Sequence, residues 1–154
     1  MTICTQNKAS YFDQKPELKQ VIIKHWKELP HRYPYITLDE FVVMPNHVHG
    51  IICITENVGV IHELPLQDRL RRKMILPKII GYFKMNTSKR INQILNRPGN
   101  PFWQRNYYEH IIRNEDELMR VRRYIQENPL RWEYDKENPM GKPDKKEIEF
   151  WREM

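Results

Sequence analysis

Phe41-Val42-Val43-Met44-Pro45-Asn46-His47-Val48-His49-Gly50-Ile51-Ile52-Cys53-Ile54 is the stretch around which the rest of the chain is arranged. Phe41 to Met44 is a short apolar run of the kind that forms a strand. Pro45-Asn46 then turns the chain, because proline presets φ and asparagine tolerates tight backbone geometry. His47 to Ile54 resumes as a second strand rich in β-branched residues. The pair is therefore a hairpin. Side chains alternate faces along a strand, so His47 and His49 project from one face while Val48 and Ile52 point into apolar packing on the other. Two imidazoles on so apolar a strand need partners for their ring nitrogens. A metal ion would satisfy one nitrogen per ring; hydrogen bonds to water or backbone would do so without chemistry. His-x-His alone leaves both readings open.

Outward from the hairpin, residues 1–6 read as a short strand. Asp13 to Leu29 reads as a helix, with Leu18, Val21, Ile22, Trp26 and Leu29 at helical spacing. Pro30 is expected to end it. Residues 55–76 are polar and carry no clear pattern. A helix is expected from Pro77, a residue suited to a first helical position, through Ile79, Ile80, Phe83, Ile91, Ile94 and Leu95. Phe102 to Ile112 reads as an aromatic-rich strand. Asn114-Glu115-Asp116-Glu117 has the layout of a capped helix start, and Leu118, Val121 and Ile125 give that helix an apolar side. Pro129 disfavours helical geometry at Asn128 and is expected to stop it. Residues 133–154 are charged, contain Pro139 and Pro143, and are expected to be a loosely held tail after a domain over residues 1–132. The order β–α–β–β–α–β–α points to an α+β sandwich, one mostly antiparallel sheet with helices against it.

The 154 residues are one domain's worth, and 40% hydrophobic content suffices for one core. No run approaches the roughly 18 apolar residues that span a bilayer, and the first residues lack the pattern of a secretory signal. Cys4 and Cys53 form no metal or redox motif, so a reducing cytoplasm is the expected setting. With five glycines, the chain has no Gly-rich phosphate loop or dinucleotide fingerprint. The formal charge is +6, and it is uneven. Residues 67–105 hold ten basic residues (among them Lys84, Lys89, Arg90 and Arg105) and one acid, a local +9, whereas the remainder is net acidic. Concentrated positive charge attracts a polyanion, and nucleic acid is the commonest; a solvated helix face would look similar.

Two further stretches carry chemistry. In Tyr124-Ile125-Gln126-Glu127-Asn128-Pro129, Tyr124 and Asn128 are four apart and so share a helix face. A phenol and an amide oxygen side by side offer a nucleophile and a metal ligand, although a core tyrosine would explain the same residue. In Phe102-Trp103-Gln104-Arg105-Asn106-Tyr107-Tyr108-Glu109-His110, aromatics interleaved with arginine suit stacking on unpaired bases while holding phosphate. An ordinary strand packed on helices is the plainer alternative.

In this order and spacing the stretches resemble the single-tyrosine HUH transposases, and more closely their REP-associated tyrosine transposase branch. The matching segments are Thr2 to Gln6, Phe41 to Ile54, Ile79 to Lys84 through Lys89-Arg90-Ile91-Asn92, Phe102 to Arg113, and Tyr124 to Pro129, together spanning about residues 2–132. The likeness implies a ferredoxin-like sandwich and a single-stranded DNA substrate, hairpin-containing. It implies Mg²⁺ or Mn²⁺ held by His47 and His49, with Asn128 where relatives carry a third polar ligand, often Gln. Tyr124 would be the nucleophile, forming a 5′-phosphotyrosine and a free 3′-hydroxyl. Lys84, Lys89, Arg90, Trp103 and Arg105 would hold the DNA. Two nitrogens and one oxygen suit Mn²⁺ somewhat better than Mg²⁺. The phenol's ordinary pKa is about 10, so it needs help to ionise, and no general base is identifiable. Many relatives are dimers in which one subunit's tyrosine serves the other's histidines. Relative to the family, the lead-in is short, with Met1 almost inside the first strand.

The alternatives are a non-catalytic nucleic-acid-binding module of the same fold and a histidine-triad hydrolase. The second expects a third alternating histidine where Ile51 stands. An acidic-triad transposase would need an acid beside the hairpin, and none is there. His25, His31, His62 and His110 read as structural or loop residues.

Overall fold

The computed structural model describes residues 1–55 and 65–154. β1 (Thr2–Cys4) is followed by a one-turn α1 (Tyr11–Gln14), α2 (Pro16–Arg32), β2 (Ile36–Val43), β3 (His47–Ile54), α3 (Pro65–Ile94), α4 (Glu115–Glu127), a 3₁₀ segment over Asn128–Tyr134, and α5 (Lys145–Glu153). The fold is α+β, as expected. No helix among the described residues is long and apolar enough to cross a membrane.

The hairpin forms where the sequence places it. β3 is the central strand, antiparallel to β1 on one side and β2 on the other. The segment expected as a fourth strand does flank β1, but only through two isolated bridges, Thr5 with Trp103 and Thr2 with Tyr108. Between them the chain bulges outward and Lys84 Nζ donates to the carbonyls of Gln104 and Arg105 at 2.6 and 2.8 Å. Counting that ragged edge, the spatial order is fourth–β1–β3–β2, the ferredoxin-like arrangement.

The two faces of β3 separate packing from chemistry. Val48 joins the main core with Ile22, Trp26 and Leu29 of α2 and Ile79, Ile80, Phe83 and Ile91 of α3. Gly50 shares that face because Trp26 stacks on Phe41 at 4.3 Å directly above it. A Cβ at Gly50 would lie 2.7 Å from the Trp26 ring. On the opposite face Ile51 packs with Val121 and Ile125 of α4. Arg122 of α4 donates to both carboxylate oxygens of Asp39 of β2, from Nε to Oδ1 at 3.1 Å and from Nη2 to Oδ2 at 2.8 Å.

Four expectations are corrected. Pro30 does not end α2, which runs to Arg32 with Tyr33 N–H donating to the Leu29 carbonyl. A proline in the last turn forfeits one backbone bond, and buried Trp26 and Leu29 carry the helix past it. Pro77 likewise lies inside α3, which begins at Pro65; Ile75 and Leu76 before it and Ile79 and Ile80 after it pack on the same core. The cap predicted at Asn114 forms, accepting from Glu117 N–H at 2.8 Å. Yet Asn128 keeps helical angles, and the chain tightens into 3₁₀ geometry through Pro129 instead of leaving the helix. Residues 133–154 are not loosely held: they wrap back over α4 as the 3₁₀ segment, a turn at Gly141 and α5. α5 is capped by Asp144, which accepts from Glu147 N–H at 2.9 Å and is gripped by Arg131 at 2.8 Å.

Candidate functional site

β3 alternation puts both histidines on the α4 face, as the sequence requires, and the rings meet. His47 Nε2 and His49 Nε2 are 2.9 Å apart, and both residues are almost wholly buried. The tautomer of His47 follows from its neighbour. The Asn46 amide donates to the Lys8 and Glu137 carbonyls, so its oxygen faces His47 Nδ1 at 2.7 Å and can only accept. His47 therefore carries its proton on Nδ1 and presents a bare Nε2. His49 Nδ1 lies 2.9 Å from Thr2 Oγ1, brought there by the pairing of Thr2 with His49 across β1 and β3. Desolvation lowers the pKa of both rings, holding them neutral. Two neutral imidazoles with facing Nε2 atoms require a proton or a cation between them.

Asp135, a residue singled out by no sequence pattern, completes the cluster. Its Oδ1 accepts from Glu137 N–H at 2.6 Å, which turns Oδ2 toward His47 and His49 at 3.6 and 4.0 Å. That buried oxygen has no hydrogen-bond partner. The three donor atoms lie within 4.8 Å of one another. Two neutral imidazoles, an orphaned carboxylate oxygen and outer partners on the imidazoles form a donor set that fits a divalent cation. The signal that finds Asp135 is three-dimensional, since it lies 86 residues beyond His49 in a segment expected to be loose.

Tyr124 is on the same side. Its ring is 5.4 Å from that of His49 and stacks on Phe150 of α5 at 3.9 Å, nearly parallel. Its hydroxyl donates to Glu147 Oε1 at 3.0 Å and lies 3.3 Å from Trp151 Nε1. Burial, with the Asp135 and Glu147 carboxylates nearby, raises its pKa strongly, so the phenol is neutral. Trp151 and Lys136, both part-exposed, are the outer side chains of this cluster, with Lys136 Nζ against the Trp151 ring. Asn128 is buried one turn beyond Tyr124, and its side-chain oxygen has no hydrogen-bond partner.

The basic and aromatic candidates scatter. Lys89 and Arg90 are exposed on α3 and Arg105 on the ragged edge. Lys84 is tied to backbone carbonyls at that edge. Trp103 is buried, donating from Nε1 to Thr87 Oγ1 at 2.9 Å and packed on Phe102. It is a core residue with no face free for a base, which corrects its assignment to stacking. The side chains of Arg69, Arg71, Arg72 and Lys73 lie outside the described residues. His110 is structural, paired with Glu117 at 2.6 Å.

The chain is similar to several known proteins. Residues 69–128 match the family described as IS200-like transposases. An uncharacterized protein of Haemophilus influenzae is 37% identical over 151 residues, covering 88% of this chain and 81% of its own length. A putative REP-associated tyrosine transposase of the same organism is 28% identical over 111 residues, with 71% of this chain and 57% of that protein covered. Among solved structures, a REP-associated tyrosine transposase bound to a REP hairpin aligns with a TM-score of 0.49 and 21% identity, over 84% of this chain and 64% of that one. The family likeness thus rests on residues 69–128, which carry most of α3, and α4 up to Asn128.

Proposed function

We propose that this protein nicks and rejoins single-stranded DNA through a 5′-phosphotyrosine on Tyr124, with a divalent cation held by His47, His49 and Asp135. The observation that carries this is the meeting of the His47 and His49 Nε2 atoms with an orphaned Asp135 oxygen beside the Tyr124 ring. Asn128 is a further oxygen for the set. Mn²⁺ or Mg²⁺ there would neutralise charge on the scissile phosphate, and a mixed nitrogen and oxygen set favours Mn²⁺. Asn46 and Thr2 fix the two rings. Phe150 holds the plane of the phenol, so that its oxygen approaches phosphorus in one orientation. Attack forms the tyrosyl phosphodiester and releases a 3′-hydroxyl, and the retained ester lets a later 3′-hydroxyl rejoin. The similarity to IS200-like transposases and to a putative REP-associated tyrosine transposase supports a DNA partner.

Incubation with a pool of 3′-labelled hairpin oligonucleotides and Mn²⁺ should yield a protein–DNA adduct on denaturing gels. Tyr124→Phe should abolish the adduct while binding persists. An undiminished adduct in that variant refutes the role. Tight binding with no adduct in Mn²⁺ or Mg²⁺ would identify instead a non-catalytic nucleic-acid-binding module. Whether a second copy supplies the tyrosine is tested by mixing Tyr124→Phe with His47→Ala; recovery of adduct means the site is shared between copies.

A further inference from the structure

We propose that Glu147, on α5, is the general base that takes the proton from the Tyr124 hydroxyl, an inference that rests on the nicking reading above. Its Oε1 accepts the phenolic hydrogen bond at 3.0 Å, within the reach a proton acceptor needs. Among the described residues it is the only carboxylate bonded to that hydroxyl, since Asp135 is turned toward the histidines. The carboxylate is held in place from three sides. Trp151 Nε1 donates to the same oxygen at 2.8 Å and Lys136 N–H at 3.2 Å. Asp144 fixes the helix turn that carries it.

Glu147 stands in the first turn of α5, three residues after the capping Asp144, where a helix N-terminus favours an acid, but its side chain points inward to the phenol. It is 3% exposed, yet no ion pair to it is present among the described residues. Burying a carboxylate without a cation is costly. A carboxylate bonded to the one hydroxyl whose proton must leave has a chemical reason to be there.

As the phenolic oxygen bonds to phosphorus, its O–H bond breaks and the proton passes to the Glu147 carboxylate. The bond from phosphorus to the 3′-oxygen breaks, and that oxygen leaves with the bonding pair and takes a proton from water. In rejoining, an incoming 3′-hydroxyl attacks phosphorus and loses its proton to water. Glu147 then returns its proton to the departing phenolic oxygen. No redox change occurs, and the same residue is base in one direction and acid in the other.

The test uses the full chain, Mn²⁺ and the 3′-labelled hairpin pool, with adduct formation followed in time. Glu147→Gln keeps volume and hydrogen bonding but cannot accept the proton. It should slow adduct formation by about 100-fold or more, with oligonucleotide binding by fluorescence anisotropy unchanged. Glu147→Asp should retain part of the rate, and added formate should partly restore Glu147→Ala, which an apolar cover would not allow. A Glu147→Gln rate equal to or above the parent overturns the role and makes Glu147 a plug over the site. If Glu147→Gln fails to fold, the absence of formate rescue in Glu147→Ala overturns it equally. A parent chain that forms no adduct removes the nicking reading and this role together, whereas a parental adduct with undiminished variants removes this role alone.

Discussion

Asn46 decides how His47 can be used. Its amide is anchored at one end by two carbonyls, so its oxygen has one orientation toward Nδ1. Such an outer partner fixes tautomer and ring angle, and its loss typically lowers metal affinity by about 10- to 100-fold. Asn46→Ala should therefore weaken Mn²⁺ binding by that factor in calorimetric titration, while Lys89→Gln leaves it unchanged. Equal affinity in Asn46→Ala would show that ring orientation is set by packing alone. At this scale the sequence was informative where chemistry follows chain spacing. His47 and His49 share a face because a strand has period two, and Tyr124 faces the same way because a helix has period 3.6. Asp135 and Glu147 obey no such spacing: each becomes part of the site only because the chain after Pro129 turns back over α4. Trp103 misled for the converse reason, since aromatic residues in an edge strand serve stacking and core packing alike, and burial alone separates the two.

Among the elements, α4 is the one on which the site depends, because it carries Tyr124 against the sheet. Its docking on the sheet is both apolar, through Val121 and Ile125 near Val42 of β2 and Ile51 of β3, and ionic, through Arg122 and Asp39 of β2. Arg122 and the Glu40 N–H lower the Asp39 pKa, the arginine hydrogen bonds contributing most. A carboxyl with a depressed folded pKa binds fewer protons folded than unfolded, so it stabilises the fold above its unfolded value of about 3.9 and loses that contribution as pH falls through the folded value. Asp39→Asn should lower the urea midpoint at pH 7 and make progressively less difference below pH 4. A constant deficit across that range would mean that the pair contributes nothing through charge. The N-terminus of α4 was readable because Asn114 and Glu117 form a local code. α5 was not, because its nine residues are mostly charged and its apolar contacts, Phe150 and Trp151 on Tyr124, are long-range. Proline misled at Pro30 and Pro77, where tertiary packing outweighs one lost hydrogen bond.

Across the whole molecule the sheet divides the two kinds of surface. α2 and α3 cover one face, and the histidines, Tyr124 and α5 occupy the other. The exposed cations Lys89 and Arg90 therefore lie on a helix of the face opposite the chemistry, while Arg105 stands on the ragged edge beside β1. A strand bound by all three must pass round that edge to bring a phosphate to His47, and Lys84 braces the bulge over which it would pass. If the protein binds DNA as proposed, cations so placed would act on affinity and not on the reacting atoms. Each phosphate neutralised contributes about 0.7 to the slope of log affinity against log salt for single strands and about 0.9 for duplex. Lys89→Gln with Arg90→Gln should flatten that slope by about 1.4 to 1.8, weaken binding similarly for every sequence in the pool, and leave the adduct rate at saturating DNA unchanged. A loss confined to particular sequences would mean that these residues read bases. A lower rate at saturation would bring α3 into contact with the scissile phosphate and contradict the division of faces that the sheet imposes.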